Sequence, residues 1–166
     1  MSTLYGKQEI YELLNSKGIT YEVLEHKAVY TMEDMDKVGI TAKGGVCKNL
    51  FLRDAKGKKH FLITIPEERR VDLKALSVKL ESTKLSFASA ERLSTYLGVG
   101  QGCVSPFGVL NDGSCSVTVI FDQSLQFSHA VGVHPNDNTA SVWLDFKSLR
   151  QVIEEHGNPV KIIKFE

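Results

Sequence analysis

Residues 44–52 read Gly-Gly-Val-Cys-Lys-Asn-Leu-Phe-Leu, and residues 60–65 read His-Phe-Leu-Ile-Thr-Ile. Both runs are short and mainly apolar, as expected for strands that are largely buried. Residues 54–57 between them read Asp-Ala-Lys-Gly, which is typical of a turn. The sequence therefore predicts a β-hairpin with strands at residues 46–53 and 60–65.

Lys48 is the unusual residue of this hairpin. Side chains alternate between the two faces of a strand, so Lys48 is expected on the same face as Leu50 and Leu52, the face predicted to be buried. A cation there either extends its alkyl chain to reach water or meets an anion or a carbonyl group. The hairpin alone leaves both interpretations open.

The rest of the chain alternates between helical and extended patterns. Hydrophobic periodicity and capping residues predict helices at 6–17, 31–36, 72–80, 90–97 and 145–157. Further strands are predicted at 21–24, 116–121, 127–133, 141–144 and 160–165, and residues 98–108 are predicted to be irregular. This order favours an α/β fold with a mixed, largely antiparallel, barrel-like sheet and flanking helices.

Composition limits the possible classes of protein. A chain of 166 residues with 42% hydrophobic and 24% charged residues fits one globular domain, predicted to span residues 1–166. A formal net charge of zero disfavours extended binding to duplex nucleic acid, but it permits a partner held through a few contacts. The absence of long apolar runs and of a signal-peptide pattern predicts a cytoplasmic protein without a membrane partner.

Two polar or glycine-rich segments are candidates for a functional site. Residues 98–108 contain four glycines and could present main-chain amides to a carbonyl oxygen or phosphate, or could simply connect two elements. His134 precedes a Pro-Asn-Asp-Asn run between two predicted strands, where it could line a pocket or belong to an ordinary turn.

Several common catalytic motifs are absent. The chain has no Gly-x-Ser-x-Gly elbow and no phosphate-binding loop of the Walker type. Its three cysteines lack Cys-x-x-Cys spacing, which argues against structural zinc, and we expect neither a metal nor a cofactor. Cys47 and Cys103 are interpreted as packed thiols, because no activating base is evident for either of them.

Three segments together resemble a known family. Residues 48–52 read Lys-Asn-Leu-Phe-Leu, residues 102–108 read Gly-Cys-Val-Ser-Pro-Phe-Gly, and residues 134–140 read His-Pro-Asn-Asp-Asn-Thr-Ala. Their order and spacing resemble the YbaK-like family, which includes the inserted editing domain of bacterial prolyl-tRNA synthetase. The likeness covers essentially the whole chain and is greatest for the free-standing prolyl-tRNA deacylases. It implies the mixed, barrel-like fold predicted above.

The resemblance also implies a set of site residues. Lys48 matches the family lysine and would hold a substrate phosphate or carbonyl, and Asn49 would orient the terminal adenosine. Main-chain amides of residues 102–105 would stabilise an oxyanion, and His134 would shape the amino-acid pocket. The expected catalytic residues are Lys48 and Gly102, and the expected substrate-binding residues are Asn49, Cys103, Val104, Ser105, Pro106, His134 and Asn138.

The implied activity is hydrolysis of the ester that joins mischarged alanine to the 3′ end of tRNA(Pro). The expected partner is the acceptor end of tRNA(Pro), with prolyl-tRNA synthetase as a second candidate. Two alternatives remain open. The substrate could be cysteinyl-tRNA(Pro) or another small-residue aminoacyl-tRNA, or the chain could be a non-catalytic module that binds aminoacyl-tRNA.

Overall fold

The computed structural model describes residues 4–165. The helices are α1 Lys7–Ser16, α2 Met32–Lys37, α3 Ile40–Lys43, α4 Leu73–Lys79, α5 Ala90–Arg92 and α6 Phe146–His156. The strands are β1 Glu22–Glu25, β2 Cys47–Arg53, β3 His60–Pro66, β4 Ser86–Phe87, β5 Val117–Asp122, β6 Val131–Val133, β7 Ala140–Leu144 and β8 Val160–Ile163. A π-helical turn follows α5 at Leu93–Leu97, and 3₁₀ helices occupy Pro106–Asn111 and Gln123–Phe127.

The strands form two sheets. One has the order β1-β7-β6 and is antiparallel, and the other has the order β4-β2-β3-β5-β8. In the second sheet β4, β2 and β3 pair in antiparallel fashion, whereas β5 runs parallel to both β3 and β8. The predicted mixed, largely antiparallel α/β fold is confirmed, although the two sheets do not close into a single barrel.

The predicted hairpin lies at the centre of the larger sheet. Strand β2 pairs with β3 along its whole length, with Lys48 opposite Ile65. Leu62 and Ile63 of β3 are both fully buried and belong to different core clusters. Both faces of this sheet are therefore covered, which explains why β3 carries apolar residues on both of its faces. Lys48 does share its face with Leu52, which is buried.

Three glycines join the two sheets, and we call this contact the glycine seam: Gly44, Gly45 and Gly132. The Gly132 amide donates to the Gly45 carbonyl at 2.8 Å, and the Trp143 indole N–H donates to the Gly44 carbonyl at 2.8 Å. A Cβ atom on Gly45 would lie 2.3 Å from the Ala130 carbonyl oxygen. A Cβ on Gly132 would lie 2.6 Å from the Trp143 indole nitrogen. Only glycine permits this approach of two backbones.

Side-chain caps set the start of several helices, as predicted. The Thr31 hydroxyl accepts the Asp34 amide, the Asp72 carboxylate accepts two amides of α4, and the Asp145 carboxylate accepts the Ser148 amide. Helix α6 ends at Gly157, whose φ of +118° lies in the range that favours glycine. None of the helices in residues 4–165 has the length and apolar character needed to cross a bilayer.

Some segment predictions were wrong. The strand predicted at 127–133 begins only at Val131, because the Asp122 carboxylate caps the 3₁₀ helix Gln123–Phe127 before it. The irregular stretch predicted at 98–108 ends earlier, because the Ser105 hydroxyl accepts the Phe107 amide and starts the 3₁₀ helix Pro106–Asn111. The short elements α3 and β4 were not predicted, since four and two residues hold too little periodicity to detect.

A buried polar network fixes the ends of β5 and β8. One oxygen of the Asp112 carboxylate accepts the Val117 amide at 2.9 Å and the Asn158 side-chain amide at 3.0 Å. The same Asn158 amide group donates to the Val117 carbonyl at 3.0 Å. Asn158 thus donates hydrogen bonds to both the Asp112 carboxylate and the Val117 carbonyl. Removing its side chain would leave these two buried acceptors without those bonds.

We therefore expect Asn158→Ala to lower the free energy of unfolding by about 2–3 kcal/mol. Urea denaturation followed by circular dichroism measures this change. Lys161→Ala on the exposed side of β8 is the matched control, and it should stay within about 0.5 kcal/mol of the wild type. Equal effects of the two substitutions would contradict the role given to Asn158.

Candidate active site

A cavity of about 360 Å³ opens beside the glycine seam. Four parts of the chain meet there: the start of β2, the residue that follows β6, the 102–104 loop and the segment around the start of α2. The seam explains this meeting, because it holds Gly45 against Gly132 and thereby brings the chain just after each glycine to the same place. The cavity is lined by Val29, Tyr30, Thr31, Met32, Met35, Cys47, Lys48, Asn49, Glu67, Gly102, Val104 and His134.

Lys48 lines this cavity with its side chain half-buried. Its ammonium group makes no hydrogen bond or ion pair with any residue from 4 to 165. A cation in such a position has lost part of its hydration without gaining a protein partner. The site is thus suited to a ligand that brings a carbonyl or a negatively charged oxygen to Lys48.

Asn49 lines the cavity next to Lys48, and its orientation is set by a neighbouring strand. The Thr64 hydroxyl on β3 donates to the Asn49 side-chain oxygen at 2.6 Å. Because the oxygen is engaged, the amide nitrogen of Asn49 is the group left to donate a hydrogen bond. Lys48 and Asn49, successive residues of β2, are thus two hydrogen-bond donors among the lining residues.

The loop from Gly102 to Val104 forms the opposite part of the wall. Gly102 has a φ of +85°, and a Cβ there would lie 3.1 Å from the Tyr30 ring. The Cys103 amide donates to the Gly100 carbonyl at 3.2 Å. The Gly102 and Val104 amides donate to no backbone carbonyl within residues 4–165. These two amides are the candidates for contact with a ligand oxygen.

His134 completes the polar lining and is held in one orientation. Its Nδ1 lies 2.8 Å from the Ala140 carbonyl, to which it donates. Burial is the main reason that the pKa of His134 lies below the ordinary value of 6.5, with the neighbouring His26 acting in the same direction. The imidazole is therefore neutral at pH 7, with Nε2 available as an acceptor.

Four of the predicted site residues lie behind the lining rather than in it. Ser105 and Pro106 are buried at the start of the 3₁₀ helix, and Cys103 is half-buried between two lining residues. Asn138 is buried, and its amide donates to the Val29 carbonyl at 3.0 Å, which holds the segment leading to α2. These residues support the wall, whereas Lys48, Asn49, Gly102, Val104 and His134 form it.

The two nearby thiols are poor nucleophiles. Burial raises the pKa of Cys47 to about 12, and burial also raises the pKa of Cys103 above its ordinary value of 9.0. Both groups are thus protonated at neutral pH, as the interpretation as packed thiols requires. In the described part of the chain, no three His, Cys, Asp or Glu side chains converge as metal ligands.

Sequence reasoning missed Tyr30, Met32 and Glu67. Tyr30 and Met32 flank the capping Thr31 and are exposed at the cavity, and nothing in the sequence marks that segment as part of a site. Glu67 follows β3, and its amide donates to the Val46 carbonyl at 3.0 Å. The hairpin register, extended by one pair, would have placed it beside the start of β2.

Known proteins resemble this chain over almost its full length. The family model of the aminoacyl-tRNA editing domain matches residues 26–152. The chain is 46% identical to the prolyl-tRNA editing protein ProX of Acetoanaerobium sticklandii over 159 residues, covering 96% of this chain and 97% of that one. It is 31% identical to the prolyl-tRNA synthetase associated domain-containing protein 1 of Mus musculus, covering 96% of each.

Solved structures show the same fold. A crystal structure described as a candidate trans-editing enzyme for prolyl-tRNA synthetase superposes with a TM-score of 0.74 at 20% identity, covering 99% of both chains. The crystal structure of the hypothetical protein APE2540 gives a TM-score of 0.69 at 18% identity, covering 92% of this chain and 97% of that one. The two-sheet arrangement and its cavity are thus built on a fold known from crystal structures.

Gly102→Ala tests the conformation of the loop. An alanine at a φ of +85° is strained and its methyl group would press on the Tyr30 ring, so we expect a loss of about 1–2 kcal/mol in the free energy of unfolding. Gly100 in the same loop has open space around it and no positive φ. Gly100→Ala should therefore leave stability unchanged or slightly raised in the same urea titration. Equal losses in both variants would contradict the assigned loop geometry.

The lowered pKa of His134 predicts a pH-dependent stability. Below pH 6.5 the unfolded chain takes up a proton at this side chain that the folded protein resists, so the stabilisation is complete above pH 6.5 and is lost as the pH falls. His134→Asn should thus show a smaller drop in unfolding free energy between pH 7.5 and pH 5.5 than the wild type. His129→Gln, at an exposed histidine, should keep the wild-type drop. An unchanged drop in His134→Asn would contradict the assignment.

Proposed function

The chain belongs to the aminoacyl-tRNA editing domain family and is an aminoacyl-tRNA deacylase, and we propose that its substrate is alanine mischarged on tRNA(Pro). The enzyme would act in trans, on aminoacyl-tRNA already released from the synthetase. The observation that carries the proposal is the half-buried, unpartnered Lys48 in the wall of a cavity of about 360 Å³. The ProX relative, named as a prolyl-tRNA editing protein, supports the choice of tRNA.

The proposed reaction does not need a protein nucleophile. An aminoacyl ester is already activated relative to an amide, so water can attack it once the ester is held correctly. The protonated state of both cysteines near the cavity agrees with attack by water rather than by a thiolate. The ribose hydroxyl beside the ester is the proposed group that helps to activate this water.

Lys48 and Asn49 are proposed to position the 3′ end of the tRNA. The Lys48 ammonium would bind a phosphate of the terminal nucleotide or the ester carbonyl, replacing the water that it loses by partial burial. The Asn49 amide would donate a hydrogen bond to the terminal adenosine, since its oxygen is engaged by Thr64. Holding the ester in one geometry lowers the entropic part of the barrier.

The Gly102 and Val104 amides are proposed to stabilise the tetrahedral intermediate. As water adds to the ester, the carbonyl oxygen gains negative charge, and main-chain N–H groups held in place before the reaction would stabilise that charge without reorganisation. The neighbouring Cys103 amide is engaged by Gly100 and is not available for this task. His134, neutral and fixed by Ala140, would shape the amino-acid end of the pocket.

Size is the proposed basis of substrate choice. A synthetase that activates proline cannot strongly reject a smaller side chain that fits the same pocket, and a second site that admits only the smaller product corrects the error. The apolar lining from Val29, Met35 and Val104 suits a methyl side chain. We propose that this lining excludes the proline ring and so spares correctly charged tRNA.

The partners follow from this proposal. The acceptor end of tRNA(Pro) would bind at the cavity, and prolyl-tRNA synthetase is a second proposed partner that would deliver it. The zero net charge of the chain predicts modest affinity for the tRNA backbone. We propose that residues 1–166 act as one editing domain in the cytoplasm, where aminoacyl-tRNAs are made.

We expect Lys48→Ala to slow deacylation of alanyl-tRNA(Pro) by about 100-fold or more, because the ester loses its positioning cation. The measurement is the loss of radiolabelled alanine from tRNA(Pro) with time, with circular dichroism to verify the fold. Lys56→Ala, in the exposed turn of the hairpin, is the matched loss of one positive charge and should retain the wild-type rate.

The same assay run with alanyl-, cysteinyl-, seryl- and prolyl-tRNA(Pro) tests substrate choice. Alanyl-tRNA(Pro) should be hydrolysed fastest and prolyl-tRNA(Pro) no faster than in buffer. A faster reaction with cysteinyl- or seryl-tRNA(Pro) would contradict alanine as the preferred residue and identify that aminoacyl-tRNA as the substrate instead. Wild-type activity in Lys48→Ala would contradict the role assigned to the lysine.

A further inference from the structure

Glu67 is the carboxylate among the lining residues of the Lys48 cavity in the part of the chain that the structure describes. The residue is half-buried, and its Oε2 atom is buried with no hydrogen-bond partner within residues 4–165. A buried carboxylate oxygen without a partner is costly, and folded proteins rarely leave one unsatisfied. Nothing in the proposed mechanism so far uses this group.

The hairpin register places Glu67 close to Lys48. Lys48 lies opposite Ile65, and the ladder ends at the pair of Cys47 and Pro66, one residue before Glu67. The Glu67 amide donates to the Val46 carbonyl beyond that pair. Continued by this one bond, the register makes Lys48 and Glu67 diagonal neighbours with backbones about 7–8 Å apart, and both residues line the cavity.

Despite this proximity, the two opposite charges do not pair. No ion pair joins Lys48 to Glu67, nor to any other carboxylate from residue 4 to residue 165. Both line one cavity, so a bound molecule can place a negative or carbonyl oxygen at Lys48 and a positive group at Glu67. An aminoacyl ester has this charge pattern, because its α-ammonium group is one carbon away from the ester carbonyl.

The surroundings of Glu67 also favour a cationic ligand. Burial raises the pKa of Glu67 above its ordinary value of 4.5, and the negative charges of Glu68 and Asp36 raise it further. Each of these causes destabilises the ionised carboxylate when the cavity is empty. A bound ammonium group would offset all three.

We propose that Glu67 binds the α-ammonium group of the aminoacyl ester and makes the enzyme selective for esters with a free amino group. The inference rests on the proposed function and extends it. Esters whose amino group is acylated, such as peptidyl-tRNA, carry no positive charge at this position and offer the Glu67 carboxylate only a neutral amide N–H. The enzyme would therefore spare the peptidyl-tRNA that translating ribosomes need.

The test compares two substrates that differ only at the α position. One is alanyl-tRNA(Pro), and the other is the same tRNA carrying lactate, in which a hydroxyl replaces the ammonium group at nearly equal volume. For each substrate the rates of wild type, Glu67→Gln and Glu68→Gln are measured after subtraction of hydrolysis in buffer. Glu68 is the matched control, because it is the adjacent carboxylate and does not line this cavity.

We expect Glu67→Gln to slow hydrolysis of alanyl-tRNA(Pro) by about 10- to 100-fold, the usual range for losing a hydrogen bond to a charged group. Its rate on lactyl-tRNA(Pro) should fall far less, since the carboxylate there meets a neutral hydroxyl and no ammonium contact is lost. Glu68→Gln, which removes only a neighbouring charge, should change both rates far less than Glu67→Gln changes the rate on alanyl-tRNA(Pro). This combination would support the inference, because a defect in folding or in tRNA binding would slow both substrates.

Two other outcomes would overturn the inference. Equal slowing of both substrates by Glu67→Gln would assign the carboxylate to water activation or general positioning, and no slowing of either would remove it from the mechanism. If wild-type enzyme hydrolyses alanyl-tRNA(Pro) no faster than buffer, the proposed function itself fails. That result is read from the wild type alone and is thus distinct from a failure of the Glu67 assignment.

Discussion

The main-chain contact between Gly45 and Gly132 is the constraint on which the site depends. It joins two sheets that otherwise have separate hydrogen-bond ladders. Lys48 follows Gly45 by three residues and His134 follows Gly132 by two, so the contact sets the distance across the cavity. A methyl group on either glycine would meet a carbonyl oxygen or an indole nitrogen closer than van der Waals contact allows. Packing at the seam therefore controls chemistry a few residues away.

The polar lining of the cavity lowers the stability of the folded protein. Lys48 and Glu67 are partly removed from water without partners in the protein, and His134 is kept neutral by burial. The cost is offset elsewhere, since both faces of the central sheet are covered by apolar side chains. A ligand that supplies the missing contacts therefore gains binding free energy from groups that destabilise the free protein.

Local sequence patterns predicted much of the fold but only part of the site. The hairpin, the capped helices α2, α4 and α6, and the strand at β5 follow from turn chemistry, capping and β-branched runs, which act over a few residues. Lys48 was noticeable because a cation on an apolar strand breaks the local pattern. Tyr30 and Glu67 break no local pattern, and they join the cavity only through the register and the seam. The supporting positions of Ser105 and Asn138 likewise depend on which group each one bonds in the folded chain.

The glycine seam also contains a natural fluorophore. Trp143 is the single tryptophan of the chain, its indole N–H is bonded to the Gly44 carbonyl, and the Lys43 ammonium lies 5.1 Å from its ring centre. Indole emission responds to the polarity and charge around the ring, so the intrinsic fluorescence of this protein arises at the junction of its two sheets. Strand β2, which carries Lys48, begins three residues after Gly44, and β6, which His134 follows, pairs with β7, the strand that holds Trp143. Any rearrangement of the seam during substrate capture would be visible as a spectral change, without a dye attached to the enzyme.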